Sequence, residues 1–139
     1  MNAAARIAAA VVALRILTTA TTARAVEPGG TAPPTDARAA HDYLLSCGGC
    51  HDLDGSGSAT VPSLRGVDRL LAKTGGRDYV LRVPGVSSAP LSDARLAALL
   101  DWVFGSFGNH AAPGFTATEV HAARLRPFVD PKAARAALD

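Results

Sequence analysis

Aromatic residues are scarce in this 139-residue chain, and its one tryptophan, two tyrosines and four phenylalanines begin only at Tyr43. The first part of the sequence therefore has no aromatic side chain with which to build a core. No apolar run reaches the roughly 18 residues of a membrane-spanning helix, so we expect no membrane span in the mature chain. No dense run of lysine and arginine follows residue 25, which argues against a nucleic-acid-binding protein.

Residues 1 to 25 have the features of an export signal. Arg6 precedes an apolar stretch, and Ala23–Ala25 has the small-x-small pattern of a cleavage site, although Arg15 interrupts the apolar run. The positive net charge of the whole chain comes from the arginines of this segment. We therefore predict an exported, periplasmic protein, soluble after signal removal, with a flexible Pro- and Gly-rich lead-in at residues 26 to 35.

Helical periodicity dominates the rest of the chain, and no strand pattern is convincing, so the predicted fold class is all-α. The clearest helix covers residues 91 to 107, with Ser92 or Asp93 as its N-cap. Its core stripe comprises Leu96, Leu99, Leu100, Val103, Phe104 and Phe107. Shorter helices are predicted near residues 67 to 73 and 77 to 83.

Further helix starts are predicted at both ends of the domain. The first helix begins near Thr35 or Asp36 and runs to about Cys47, where two glycines follow. Its buried face is predicted to comprise Ala40, Tyr43, Leu44 and Cys47. Thr116 with Glu119 forms a capping-box pattern, and Asp130 before a proline begins a last short helix.

The segment SCGGCHDLDGSG, residues 46 to 57, holds both cysteines, Cys47 and Cys50, with His51 directly after the second. A redox dithiol at this spacing normally follows a strand, and none is predicted here. A structural zinc site needs four ligands, and the remaining histidines lack the usual paired spacing. A structural disulfide would close a very small loop and constrain the unfolded chain little.

Haem attachment uses all three residues of the Cys-x-x-Cys-His motif. Thiols three residues apart can reach the two vinyl groups on one edge of a porphyrin and form thioethers. An imidazole held directly beside them can coordinate the iron. We therefore predict that Cys47 and Cys50 bind haem covalently and that His51 is the proximal iron ligand.

With this motif the sequence resembles the class I monohaem c-type cytochromes, as far as about residue 107. Tyr43, four residues before Cys47, matches an aromatic that packs between the terminal helices and the haem, and Ala39 matches a position that is often glycine. The resemblance implies a cytochrome c-like fold for residues 36 to 107, with orthogonal helices around one covalently attached haem c. Residues 108 to 139 are expected to form a C-terminal helical extension.

The stretch VPSLRG is similar to the Pro-x-Leu-x-Gly element of that family. In the family the proline carbonyl accepts a hydrogen bond from the free nitrogen of the proximal histidine. The resemblance therefore implies that Pro62 orients His51 and tunes the iron. The alternative interpretation is that Pro62 only stiffens the loop.

The sequence departs from the family at the sixth iron ligand, which is usually methionine. The only methionine is Met1, and Val83-Pro84 stands where the family has Met-Pro. His110 is the first candidate for a replacement, and His121 is the second. Water, Lys73 or an empty position is the remaining alternative, and His41 lies off the buried face of its helix.

The function implied is single-electron transfer between redox partner proteins, such as a dehydrogenase and an oxidase. No catalytic constellation is found, so the chain is predicted not to be an enzyme. The missing methionine leaves two alternatives, a haem-based small-ligand binder or sensor and a small peroxidase with an open sixth iron position. Replacing methionine by histidine is expected to lower the reduction potential.

Overall fold

The computed structural model describes residues 35–109 and 113–138. The predicted export signal, nearly all of the lead-in and His110 lie outside the described residues. In the described residues the secondary structure is entirely helical, which confirms the all-α prediction. The α-helices are α1 (Thr35–Ser46), α2 (Gly48–His51), α3 (Gly76–Arg82), α4 (Pro84–Ser87), α5 (Asp93–Phe107), α6 (Ala117–Arg124) and α7 (Pro131–Ala136), with a 3-10 helix at Val67–Leu70.

Helix α5 forms the centre of the core, and its predicted apolar stripe is buried except for Phe107, which is partly buried. Ser92 caps it by accepting a hydrogen bond from the backbone N–H of Arg95. Helices α1 and α6 both pack against α5. No helix of the described residues is long and apolar enough to cross a membrane.

Helix α1 packs against α5 through a different face from the one predicted. Leu44 is 52% exposed, whereas Ala39 and Asp42 are buried. Asp42 forms an ion pair with Arg95 of α5, in which Nε and Nη2 of the guanidinium donate to the two carboxylate oxygens. The prediction for Leu44 is wrong because the buried face includes this carboxylate, whose burial depends on a charged partner from distant sequence.

The short elements differ in detail from the predictions. The helix expected over residues 67 to 73 is a 3-10 helix limited to Val67–Leu70, and α3 matches the helix expected near residues 77 to 83. Gly48 and Gly49 do not end the helical path, because α2 continues it to His51. Helix α4 was not predicted; Pro84 is its first residue, where a missing N–H costs no hydrogen bond.

The C-terminal helices begin where the capping patterns predict. Thr116 and Glu119 form the complete capping box of α6, and Asp130 caps α7 by accepting from the backbone N–H groups of Lys132 and Ala133. Helix α6 packs against α3 as well as α5. The extension is therefore a part of the same folded unit that contains the Cys-x-x-Cys-His motif.

Candidate cofactor-binding site

A cavity of about 430 Å³ opens beside the Cys-x-x-Cys-His motif. Its volume lies within the roughly 300–1,000 Å³ typical of ligand pockets. Cys47, Cys50 and His51 all line it. The other walls are largely apolar and include Val61, Leu64, Val67, Leu70, Val80, Val83, Val86, Leu96, Leu99, Leu100, Val103 and Phe104. The cavity can hold a large apolar group against two thiols and an imidazole.

The two thiols lie on one helical turn. The backbone N–H of His51 donates to the carbonyl of Cys47 at 2.9 Å, and that of Cys50 donates to the same carbonyl at 3.1 Å. Both cysteines are free, with Cys47 partly buried and Cys50 exposed. Burial, with a smaller effect of the neighbouring Cys50, raises the pKa of the Cys47 thiol.

His51 makes the contact that the resemblance implies. Its Nδ1 lies 3.0 Å from the carbonyl oxygen of Pro62. Because a carbonyl oxygen only accepts, Nδ1 must carry the proton and donate. Neutral imidazole then has an unprotonated Nε2, which is the form that binds a metal. The contact is present, and its effect on a bound iron stays a prediction.

The loop between His51 and Pro62 is closed by its own backbone. Gly57 donates from its N–H to the carbonyl of His51 at 3.1 Å, and Ser58 donates to the carbonyl of Val61 at 2.9 Å. Gly57 has φ +71°, and a Cβ atom there would lie 2.5 Å from the Val61 carbonyl oxygen. A residue without a side chain is therefore required where the loop turns back toward His51.

Tyr43 ties α1 to the start of this loop. Its side chain is 1% exposed, and its hydroxyl donates to the carbonyl of Asp52 at 2.6 Å. Burial is the main cause that raises its pKa. The ring packs against Trp102 and Phe107 of α5, with centroids 5.4 and 5.2 Å away. Tyr43 thus connects the two long helices to the segment that follows His51.

Neither His121 nor Lys73, two of the candidates for a sixth iron ligand, lines the cavity beside the motif. Val83 and Pro84 line the cavity, at the position where the resemblance places Met-Pro. His121 does not line it; its side chain is 67% exposed and its Nδ1 lies 3.2 Å from Asp93. Lys73 lines a separate, smaller cavity. His110 lies outside the described residues.

His41 is exposed on α1, as its place off the predicted buried face indicated.

Three cavity residues had no signal in the sequence. Tyr79 of α3 lines the wall, together with Pro131 and Arg135 of α7. The Arg135 guanidinium lies 5.7 Å from the centre of the Tyr79 ring. Sequence reasoning missed them because only tertiary packing brings these residues of α3 and α7 to one cavity.

The residues present fit a covalently attached haem in the chemistry of their donors. Two free cysteine thiols line a largely apolar cavity together with the imidazole of His51, whose Nδ1 is hydrogen bonded to Pro62 and whose Nε2 is left to bind a metal. By contrast, residues 35–109 and 113–138 contain no group of three or more His, Cys, Asp or Glu that could hold a metal ion through side chains alone.

No family model matches the chain, and no curated protein matches it significantly.

Proposed function

We propose that this protein is an exported c-type cytochrome that carries single electrons between redox partner proteins. The observation that carries the proposal is the arrangement of Cys47, Cys50 and His51 on one wall of an apolar cavity, with His51 Nδ1 hydrogen bonded to Pro62. Each residue then has one role in holding a single haem c. Export rests on the sequence of residues 1 to 25.

In this proposal Cys47 and Cys50 attach the haem, His51 binds the iron and Pro62 orients His51. The Cys47 and Cys50 thiols add S–H across the two vinyl groups, which forms two thioethers without loss of atoms or net oxidation. His51 offers Nε2 to the iron, and the Pro62 carbonyl fixes the ring and makes the imidazole a stronger donor. Haem supplies a reversible one-electron couple when bound. The apolar walls exclude water from the site.

The state of the thiols supports attachment over dithiol exchange. A redox-active cysteine normally has a lowered pKa, because the thiolate is the reactive form. Burial instead raises the pKa of Cys47. Cys47 lies at the junction of α1 and α2 and Cys50 lies within α2, whereas the redox motif normally follows a strand.

A second candidate function is reversible binding of a small molecule at the sixth iron position. Val83 favours it, because this cavity-lining side chain has no donor atom at the place where the related cytochromes have methionine. An iron with only His51 as axial ligand would bind carbon monoxide. Peroxidase activity would need the same open position and a distal acid or base.

Absorption spectra of the haem-loaded protein separate these functions. An electron carrier with two strong iron ligands should give low-spin spectra in both redox states and should be oxidised and reduced reversibly by one electron. Its ferrous spectrum should not change when carbon monoxide is added. Rapid carbon monoxide binding by the ferrous protein would contradict that form of the proposal and favour ligand binding. The His110→Ala variant tests the first candidate ligand; an unchanged low-spin spectrum would remove His110 from consideration.

A further inference from the structure

A second, basic cavity of about 350 Å³ adjoins the apolar one. Four of its eight lining residues are cationic, namely Arg65, Arg69, Lys73 and Arg135. No acidic side chain is found among the described residues that line either cavity. Such a concentration of positive charge around a cavity favours an anionic group there.

The two cavities share part of their walls. Ser63, Val67, Leu70 and Arg135 line both. A ligand in the apolar cavity would therefore lie beside the cationic side chains of the basic one. Among the described residues, Arg135 is the only cationic one that lines both cavities, and it comes from α7 of the C-terminal extension.

The basic side chains of Arg65, Arg69 and Arg135 have contacts that position them. Arg65 forms an ion pair with Asp54, and Arg69 donates from Nε to the Gly66 carbonyl at 3.2 Å. Arg135 lies over the Tyr79 ring, a contact that leaves its N–H groups able to donate. A carboxylate at this junction would gain charge-assisted hydrogen bonds from a planar guanidinium.

We propose that the basic cavity binds the carboxylate side chains of the haem and that Arg135 is a haem-binding residue supplied by the C-terminal extension. The inference rests on the proposed function, since haem combines a flat apolar ring with ionised carboxylates. An unpaired carboxylate at the edge of an apolar cavity is costly to bury. Arg135 offsets that cost where the two cavities meet.

The reduction potential as a function of pH tests this assignment on haem-loaded protein. An ionised carboxylate stabilises ferric iron, so the potential falls as pH rises through the carboxylate pKa. A neighbouring guanidinium lowers that pKa. Arg135→Gln should therefore move the fall in potential to higher pH by about one unit. Arg69→Gln, in the 3-10 helix that also lines the basic cavity, should move it in the same direction by less, because Arg69 lines only that cavity.

Two controls separate a binding role from a structural one. Arg135→Lys keeps the charge and should keep the fall near its wild-type pH. Lys132→Gln removes a charge from the exposed side of the same helix and should leave the profile unchanged. A profile that is identical in wild type, Arg135→Gln and Arg69→Gln would overturn the proposal. So would an equal shift in Lys132→Gln, because that is a general effect of charge.

The same samples test whether the cavity binds the haem carboxylates or free anions, and whether the protein attaches haem at all. A basic cavity that takes free anions would give a profile that changes when phosphate is added to the wild type, and this result would contradict the assignment to haem carboxylates. Haem that is attached but insensitive to Arg135 overturns this inference alone. A protein that attaches no haem overturns both it and the proposed function.

Discussion

The segment around His51 and the C-terminal part of the molecule are stabilised over very different distances along the chain. Between residues 43 and 65 the side chains bond to groups 2 to 11 positions away. Tyr43 with Asp52 and His51 with Pro62 are among the longer of these contacts, at 9 and 11 positions. In the second region Arg77 bonds to Glu119, 42 positions away, and Arg82 bonds to the Arg126 carbonyl, 44 positions away.

The difference indicates that two regions of the chain, stabilised in different ways, each contribute residues to the same cavity. The hydrogen bonds that position His51 and close its loop are local, and a loop of this length closes at small entropic cost. The long-range arginine contacts hold α6 and the segment that precedes α7 against α3, and Pro131 and Arg135 of α7 line the cavity. Substitutions in the two regions should consequently have separate effects. Those between residues 43 and 65 should disturb His51, and those at the long-range arginine contacts should disturb the C-terminal helices.

Gly57→Ala is expected to have the largest effect of the changes considered. The alanine would need a left-handed φ and would put Cβ 2.5 Å from the Val61 carbonyl oxygen, next to Pro62. These costs combine to about 2–4 kcal/mol of unfolding free energy. Denaturant unfolding measures the loss, and the haem spectrum reports the disturbance at His51.

Gly49→Ala is the matched control in the same segment. Nothing lies within 4 Å of a Cβ atom at this position, which is inside helix α2. Alanine should be neutral or stabilise by up to about 1 kcal/mol. Equal destabilisation by the two substitutions would show that the loop geometry at Gly57 is not what fixes His51.

Arg82→Ala should weaken the second region. The guanidinium lies 3.9 Å from the Phe128 ring centre and also bonds to Asp78 and the Arg126 carbonyl. Loss of these contacts should cost about 1–2 kcal/mol. Hydrogen exchange should show faster opening of α6 and α7 and little change around His51.

Arg38→Ala, at an exposed position of α1, serves as the control and should change stability by less than about 0.5 kcal/mol. If Arg82→Ala opened α1 and α2 as readily as the C-terminal helices, the two regions would not be separable.

Glu119→Gln should have the smallest effect and a characteristic pH dependence. Hydrogen bonds from Arg77 are the main cause that lowers the pKa of Glu119 from 4.5 to about 2. Because the folded-state pKa is the lower one, the ion pair stabilises the protein above pH 4.5 and loses this effect as the pH falls toward about 2. Both side chains are about one-third exposed, so the contribution should stay below about 1 kcal/mol.

Urea unfolding of wild type and Glu119→Gln across this range provides the measurement. The two curves of unfolding free energy against pH should converge as the solution is acidified. A gap that remains constant through the range would mean that the carboxylate does not act through its charge.

The sequence predicted the helical class, the α5 stripe and the caps at Ser92, Thr116 and Asp130, because each depends on residues within a few positions of one another. It also predicted the closeness of His51 and Pro62 through a resemblance. It did not predict that Asp42 is buried, since only Arg95 on another helix makes that carboxylate tolerable. The position of Arg135 at the cavity was missed for the same reason, because it depends on the docking of α7, and the helical pattern of α3 did not indicate that Tyr79 lines the cavity.

Covalent attachment of haem is the most direct test of the central claim. The full chain is produced together with a haem-attachment system, denatured, extracted with acidified organic solvent and analysed by mass spectrometry and the pyridine haemochrome spectrum. The wild type should retain one haem through two thioethers, and Cys47→Ala/Cys50→Ala should release all of it. A wild-type chain that carries no haem, or loses it on extraction, would contradict the account.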